Sequence, residues 1–308
     1  MNRMTPTLRQ SLLWCAVLII ELLSLVTPLN FLTITLIMVP LLILYLKLDL
    51  KQFSLAYVSS LFVLFVILGG SGLSLLLIIY SLFFIPPAIA MGQLYKKRAS
   101  IRVVLMIAIL VVIAEILLLL FMGYSTGVDP IGHLKIFLTD SVASLPKAML
   151  PVEYLEFSTD YIEKAIWMLP FLLLLFATFY VFLTHAITRR LLKKSTSPLP
   201  GLPPMHEWRL PKSMVLYFLI VLIIGLIITE KSDLYFQMIV YNLLPLFMVL
   251  FAVQAIGLLY AFVHFKKWNR FIPLVMILLC LYPPVTYVVC LLGVMDILMP
   301  LRQRFFKI

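Results

Sequence analysis

Residues 101–124 read IRVVLMIAILVVIAEILLLLFMGY, and only Arg102 and Glu115 interrupt their apolar character. A helix rising about 1.5 Å per residue needs roughly 20 apolar residues to cross about 30 Å of hydrocarbon, so this run predicts a transmembrane helix. The rest of the chain repeats the pattern. Of its 308 residues 64% are hydrophobic and only 12% charged. With a mean hydropathy of +1.14, a soluble 35.3 kDa fold is excluded.

The same template, slid along the chain, matches nine stretches. They run from Leu12 to Val26, Phe31 to Leu46, Phe53 to Leu68, Leu73 to Met91, Val103 to Tyr124, Ala165 to Ile187, Met214 to Thr229, Met238 to Phe265 and Phe271 to Leu298. The expected fold is therefore an all-α polytopic bundle. It has about nine spans, or eight followed by a C-terminal re-entrant hairpin. The second form arises because Pro283 and Pro284 divide the last stretch into two arms of about a dozen residues, each too short to cross alone. A single kinked span is the other form, and Pro86 with Pro87 in the fourth stretch offers a precedent for it.

Basic residues set the orientation. With the N-terminus in the cytoplasm, seventeen lysines and arginines fall on that side, at residues 3–9, 47–51, 96–102, 189–212 and 266–270. The opposite loops hold Lys135, Lys147, Lys164 and Lys231, so the positive-inside asymmetry is strong. A single final crossing strands Arg302, Arg304 and Lys307 on the outside, whereas a hairpin returns them. The net charge of +11 thus reports orientation, and no nucleic-acid partner is expected. Arg3 and Arg9 before an apolar run resemble a signal peptide, but no A-x-A-like site follows and cleavage is not expected.

Two long regions lie outside the spans. Residues 125–164 mix six acids with apolar side chains and predict short helices that rest on the interface or cap the bundle. Residues 189–212 read RRLLKKSTSPLPGLPPMHEWRLPK, where five prolines favour extended geometry. That composition divides the chain into a six-span module (1–188, with its outer loop 125–164), a cytoplasmic Pro-rich linker (189–212) and a three-span module with a basic tail (213–308). Pro203, Pro204, Trp208 and Arg209 are the candidates for docking a partner.

Among thirteen carboxylates, Glu21 and Glu115 sit deep inside apolar runs, and acids at bilayer depth often mark a substrate or ion path. Glu21 lies six residues before Thr27 and Glu115 nine before Tyr124, so both occupy the outward half. On neighbouring helices they would share a proton, bind a cation or receive an amine. The plainer alternative is a carboxyl group bonded to a backbone carbonyl or to Ser24 or Ser59, fixing helix packing. Asn242 and Gln254 share a face of the eighth span as interhelical glue. Tyr241, Asn242 and Pro245 also resemble the surroundings of a broken helix, which makes Asn242 a further path candidate.

Chemistry of other kinds is missing from the pattern. No HExxH, no pair of intramembrane aspartates and no GxxxxGK[ST] loop occurs, and Gly69 to Gly72 reads as a turn. Cys15, Cys280 and Cys290 all lie in apolar runs, without metal spacing. An enzyme, a metal and a cofactor are not expected.

The segments LPPMHEWRLPKSMVLYFL (202–219), VHFKKWNRFIPLVMILLCLYPPV (263–285) and LLGVMDILMPLRQR (291–304) resemble the YybS-like family of bacterial membrane proteins. The features that match are Trp208, Leu210 and Pro211, the Pro283–Pro284 pair after an aromatic residue, and Gly293 with Asp296 before a basic tail. This resemblance implies a multi-pass protein of the bacterial inner membrane and little chemistry. The six-span half is also similar in topology to the substrate-binding membrane components of energy-coupling factor transporters, which bind a small solute and pair with a coupling subunit through small residues of the first helix. Here only Cys15, Ala16 and Ser24 stand in for those residues. Two functions follow as expectations. One is binding or transport of a small solute by the six-span module, driven by an ion gradient or an external ATPase. The other is a membrane scaffold for envelope or division components. In both, the lipid bilayer is the first partner.

Overall fold

The computed structural model describes residues 6–144, 158–193, 198–228, 233–269, 271–280, 282–299 and 301–306. Helices α1 (Pro6–Ser24), α2 (Asn30–Thr33), α3 (Met38–Lys47), α4 (Leu50–Ile67), α5 (Gly72–Leu82), α6 (Ile85–Lys96) and α7 (Ile101–Ser125) come first. Next are α8 (Pro130–Ala143), α9 (Ser158–Trp167) and α10 (Leu169–Leu191), then a 3-10 turn at Met205–Glu207. The chain continues through α11 (Ser213–Ile227), α12 (Leu234–Lys266), α13 (Phe271–Leu279), α14 (Pro283–Leu298) and α15 (Leu301–Phe306). No strand occurs among the described residues.

Among the described residues, six helical runs are long and apolar enough to cross a membrane: Asn30–Lys47, Leu50–Ile67, Gly72–Lys96, Ile101–Ser125, Leu169–Leu191 and Leu234–Lys266. The remaining expected spans take other forms. The first is α1, a helix of 19 residues, and the seventh is α11, of 15. The ninth is divided into α13, of nine residues, and α14, of 16. Pro283 and Pro284 stand at the first positions of α14, where a missing N–H costs nothing, so they begin a helix instead of kinking one. Pro86 and Pro87 do the same for α6.

Local chemistry explains the boundaries. Asp49, Asp129 and Asp233 cap α4, α8 and α12 by accepting from the N–H groups of Gln52, Gly132 and Tyr235. Between α4 and α5 the expected turn is present, with Gly69 and Gly70 at φ of +62° and +64°, which side chains with a Cβ resist. The eighth span departs from its expectation. Helix α12 runs unbroken through Pro245 for 33 residues, so no broken helix exists at Tyr241 and Asn242.

The chain forms two compact units, Met1–Val128 with Leu173–Leu202, and Asp129–Leu172 with Pro203–Ile308. In unit 1, α1 packs on α3 and α4, α3 on α6, and α6 on α7. Leu18, Leu22, Met38, Leu64, Met91, Val104 and Tyr180 form its core. The outer surfaces are apolar instead of polar, with Phe62 and Phe121 exposed by 66% and 68%. That inverted surface suits hydrocarbon as the solvent.

In unit 2, α8 packs on α9, and α12 carries α11, α13 and α14 on its flanks. Facing pairs show the direction of α14. Phe251 meets Gly293, Gln254 bonds Asp296, Arg302 lies against Gly257, and Phe262 packs on Phe305. Both numbers rise together, so α14 and α15 run parallel to α12. The intervening α13 has turned back from the end of α12, bringing Met276 and Cys280 onto Ala252 and Ala255. The outer segment contributes α8 and α9 to this unit, and its residues 145–157, including Lys147, Glu153 and Glu156, lie outside the described residues.

Candidate functional site

Glu21 and Glu115 both belong to unit 1, on α1 and α7. Each is half-buried, and each has an Oε2 atom shielded from solvent with no hydrogen-bond partner among the described residues. The Ser24 hydroxyl donates to the backbone carbonyl of Glu21 at 2.6 Å, not to its carboxylate. Around Tyr180 an aromatic group has assembled. Its ring lies 5.6 Å from Phe84 and 5.7 Å from Phe176, and Phe84 in turn meets Tyr80 at 5.3 Å. Glu21 and Tyr80 are within electrostatic range of Tyr180, whose hydroxyl donates to the carbonyl of Ile34 at 3.3 Å. Carboxylates and aromatic faces each attract cations. The two acids, however, are carried by helices that form no extensive packing with one another: α1 lies on α3 and α4, and α7 on α6. A proton shared between them therefore has no extensive helix packing behind it.

A crevice of about 580 Å³ opens between α1 and α4, lined by Ser11, Cys15, Ala16, Gln52, Ala56 and Ser59 among others. Its size falls within the range of small-molecule sites, and Glu21 is not among its lining residues. Elsewhere in unit 1, the Tyr95 hydroxyl bonds His185 Nδ1 at 2.6 Å, and Thr184 and Thr188 are fully buried beside it on α10. Their Oγ1 atoms have no partner among the described residues. Sequence reading passed over this polar cluster. The signal was THAIT at 184–188, three polar side chains at i, i+1 and i+4 on an apolar helix.

Unit 2 holds the most elaborate polar constellation. Arg302 and Asp296 are paired at 2.9 Å, with each side chain only 2% exposed. Gln254 donates to the same Asp296 Oδ2 at 2.6 Å and accepts from the Leu210 N–H at 3.0 Å. Arg302 also donates to the carbonyls of His206, Trp208 and Gln254, at 2.6, 2.8 and 3.0 Å. One guanidinium thereby fastens residues 206–210 to α12 and α14. Gly257 permits this close approach, since a Cβ there would sit 2.9 Å from the Met205 carbonyl. Burial pulls the Arg302 pKa down, and the Asp296 carboxylate opposes that shift. Asp296 Oδ1 is buried without a hydrogen-bond partner among the described residues.

The other sequence candidates find definite places. Trp208 Nε1–H donates to the Pro203 carbonyl at 2.9 Å, closing the connector on itself, while Pro204 and Arg209 are exposed. Asn242 donates to the carbonyls of Trp167 and Met238, both at 2.7 Å, and accepts from the Phe171 N–H at 2.9 Å. Its bonds to Trp167 and Phe171 serve the joint between α9 and α10, while the one to Met238 stays within α12. Twenty-two residues separate Asn242 from His264, which stacks on His206 of the connector, about 33 Å along the axis, so the joint and this part of the connector lie far apart along one membrane-length helix. No group of three metal-ligating side chains occurs among the described residues.

Comparison with known proteins agrees with this architecture. The chain is 22% identical to the uncharacterized protein YybS of Bacillus subtilis (strain 168) over 225 residues, which are 70% of this chain and 72% of that protein. No solved structure matches. A family model described as "Predicted membrane protein (DUF2232)" matches residues 15–297, nearly the whole chain, and the protein belongs to that family.

Proposed function

We propose that this is a non-enzymatic protein of the cytoplasmic membrane whose unit 1 binds or moves a small solute bearing an amine or other positive charge, without an ATPase of its own. The observation that carries the reading is Glu21 Oε2, shielded and without a hydrogen-bond partner among the described residues, on an apolar helix within electrostatic range of Tyr180. An acid kept at that depth costs a few kcal/mol, which a function or a ligand offsets. Glu115 is a second polar position in the same unit, reached separately. The positive-inside rule places the N-terminus in the cytoplasm, and a half-crossing by α13 and α14 brings the basic tail back to that side.

Gentle purification from native membranes, followed by mass spectrometry of co-eluting small molecules, tests this against Glu21→Gln. A cationic compound retained by the unaltered protein and lost from the variant is the expected result. Identical small-molecule profiles would remove Glu21 from any binding role. The second reading is a scaffold, favoured by the way Arg302 holds the connector in a fixed shape with Pro204, Glu207 and Arg209 turned outward. In that case co-eluting proteins, not solutes, disappear when Pro203 and Pro204 are replaced by Ser.

A further inference from the structure

Beside the Arg302–Asp296 pair lies a cavity of about 200 Å³, lined by Arg209, Leu210, Lys212, Gln254, Asp296, Ile297 and Arg302. A second cavity, of about 320 Å³, shares Arg209 and Arg302 and extends to His206. The charges here do not balance. Arg302 is committed to Asp296 and to three carbonyls. Arg209 lies within electrostatic range of Arg302, so like charges converge on one space. Neither Arg209 nor Lys212 has an ion pair among the described residues. Glu207, itself exposed, lines the second cavity, and the buried Asp296 Oδ1 in the first has no donor among the described residues.

A complementary ligand carries an anion for the two outer cations and, next to it, a hydroxyl or ammonium for Asp296. We propose that this cavity binds a phosphate ester bearing such a donor, with Arg209 and Lys212 on the phosphate and Asp296 Oδ1 accepting from the neighbouring group. The chemistry is that of a phospholipid headgroup or of a soluble phosphate ester. The setting suits a lipid: α11 leaves the cavity just after Lys212 and α14 ends just past Ile297, and both expose aliphatic side chains such as Leu216 and Leu298 along which acyl chains lie. Basic pockets among membrane helices recognise headgroups by these same contacts.

The test uses the full-length protein in detergent, titrated with dioctanoyl phosphatidylglycerol, glycerol 3-phosphate and dioctanoylglycerol, with binding read by native mass spectrometry and calorimetry. Arg209 and Lys212 are exposed, so Arg209→Ala/Lys212→Ala is expected to fold and to keep its thermal midpoint. Its affinity for phosphatidylglycerol should fall at least about tenfold, as expected for losing a charge-assisted contact. Binding of the phospholipid but not of glycerol 3-phosphate supports a lipid source; equal sensitivity of both to the double substitution supports a soluble ester. Unchanged affinity in the double variant, binding of neither phosphate compound, or equal binding of dioctanoylglycerol overturns the proposal. Phosphatidylmethanol lacks the headgroup donor and should bind more weakly than phosphatidylglycerol. Equal binding of the two overturns the assignment of Asp296.

Discussion

Arg302 concentrates more structure in one side chain than any other described residue, because four acceptors from three parts of unit 2 converge on it. Arg302→Ala leaves the Asp296 carboxylate buried without its counter-charge, a loss of about 3–5 kcal/mol. The expected readouts are a lower thermal midpoint in detergent and faster protease cleavage within residues 203–210. Arg302→Lys should recover only part of the loss, since an ammonium is a point charge and cannot reproduce the fork that meets carboxylate and carbonyls together. Legibility differed sharply between these acids. Glu21 and Glu115 stand out because apolar runs surround them, yet what each one faces depends on helix neighbours that local sequence does not encode. Asp296 was visible as an acid ending a hydrophobic stretch and as part of a family-like pattern with Gly293, and Arg302 as a charge in a basic tail. Their pairing requires the break at Met299 and the approach of the connector, both set by tertiary packing.

Helix packing supplies two further expectations. Gly293 lets α14 approach α12 so closely that an added methyl group would run into the Phe251 carbonyl. Gly293→Ala should therefore destabilise unit 2 by about 1–3 kcal/mol, as overpacking does, although alanine is the better helix former. Thermal unfolding compared with Gly225→Ala, where only a Val240 side-chain atom is near, separates the packing effect from propensity. Asn242→Leu removes the acceptor of the Phe171 N–H and the donor to Trp167, and about 1–3 kcal/mol should be lost. Helix positions followed from the sequence because apolar length is a property of the chain itself. The two Pro-Pro pairs show where that legibility ends. Both begin helices, but α6 completes a membrane-length run while α14 follows a turned-back α13. Identical local chemistry thus serves a continuation in one place and a reversal in the other.

For the molecule in its bilayer, the parallel course of α12 and α14 sets which residues share a face of the membrane. In a background lacking Cys15, Cys280 and Cys290, cysteines at Glu207 and Phe305 should react with an impermeant maleimide from the same side, and a cysteine at Asp140 from the other. Labelling of positions 207 and 305 from opposite sides would sink the half-crossing arrangement of α13 and α14. The charge asymmetry in the loops gives an expectation for the orientation that this labelling tests, because it depends on counting lysines and arginines and not on folding. Fastening of the connector has a further consequence in time. Its backbone carbonyls at 206 and 208 wait for a guanidinium that is translated nearly a hundred residues later. During synthesis the connector therefore stays loose until Arg302 has been added and α15 has folded back on it. A chain that stops after α14 would insert its helices and still present an unlatched segment to proteases, because the latch at positions 206 and 208 depends on Arg302.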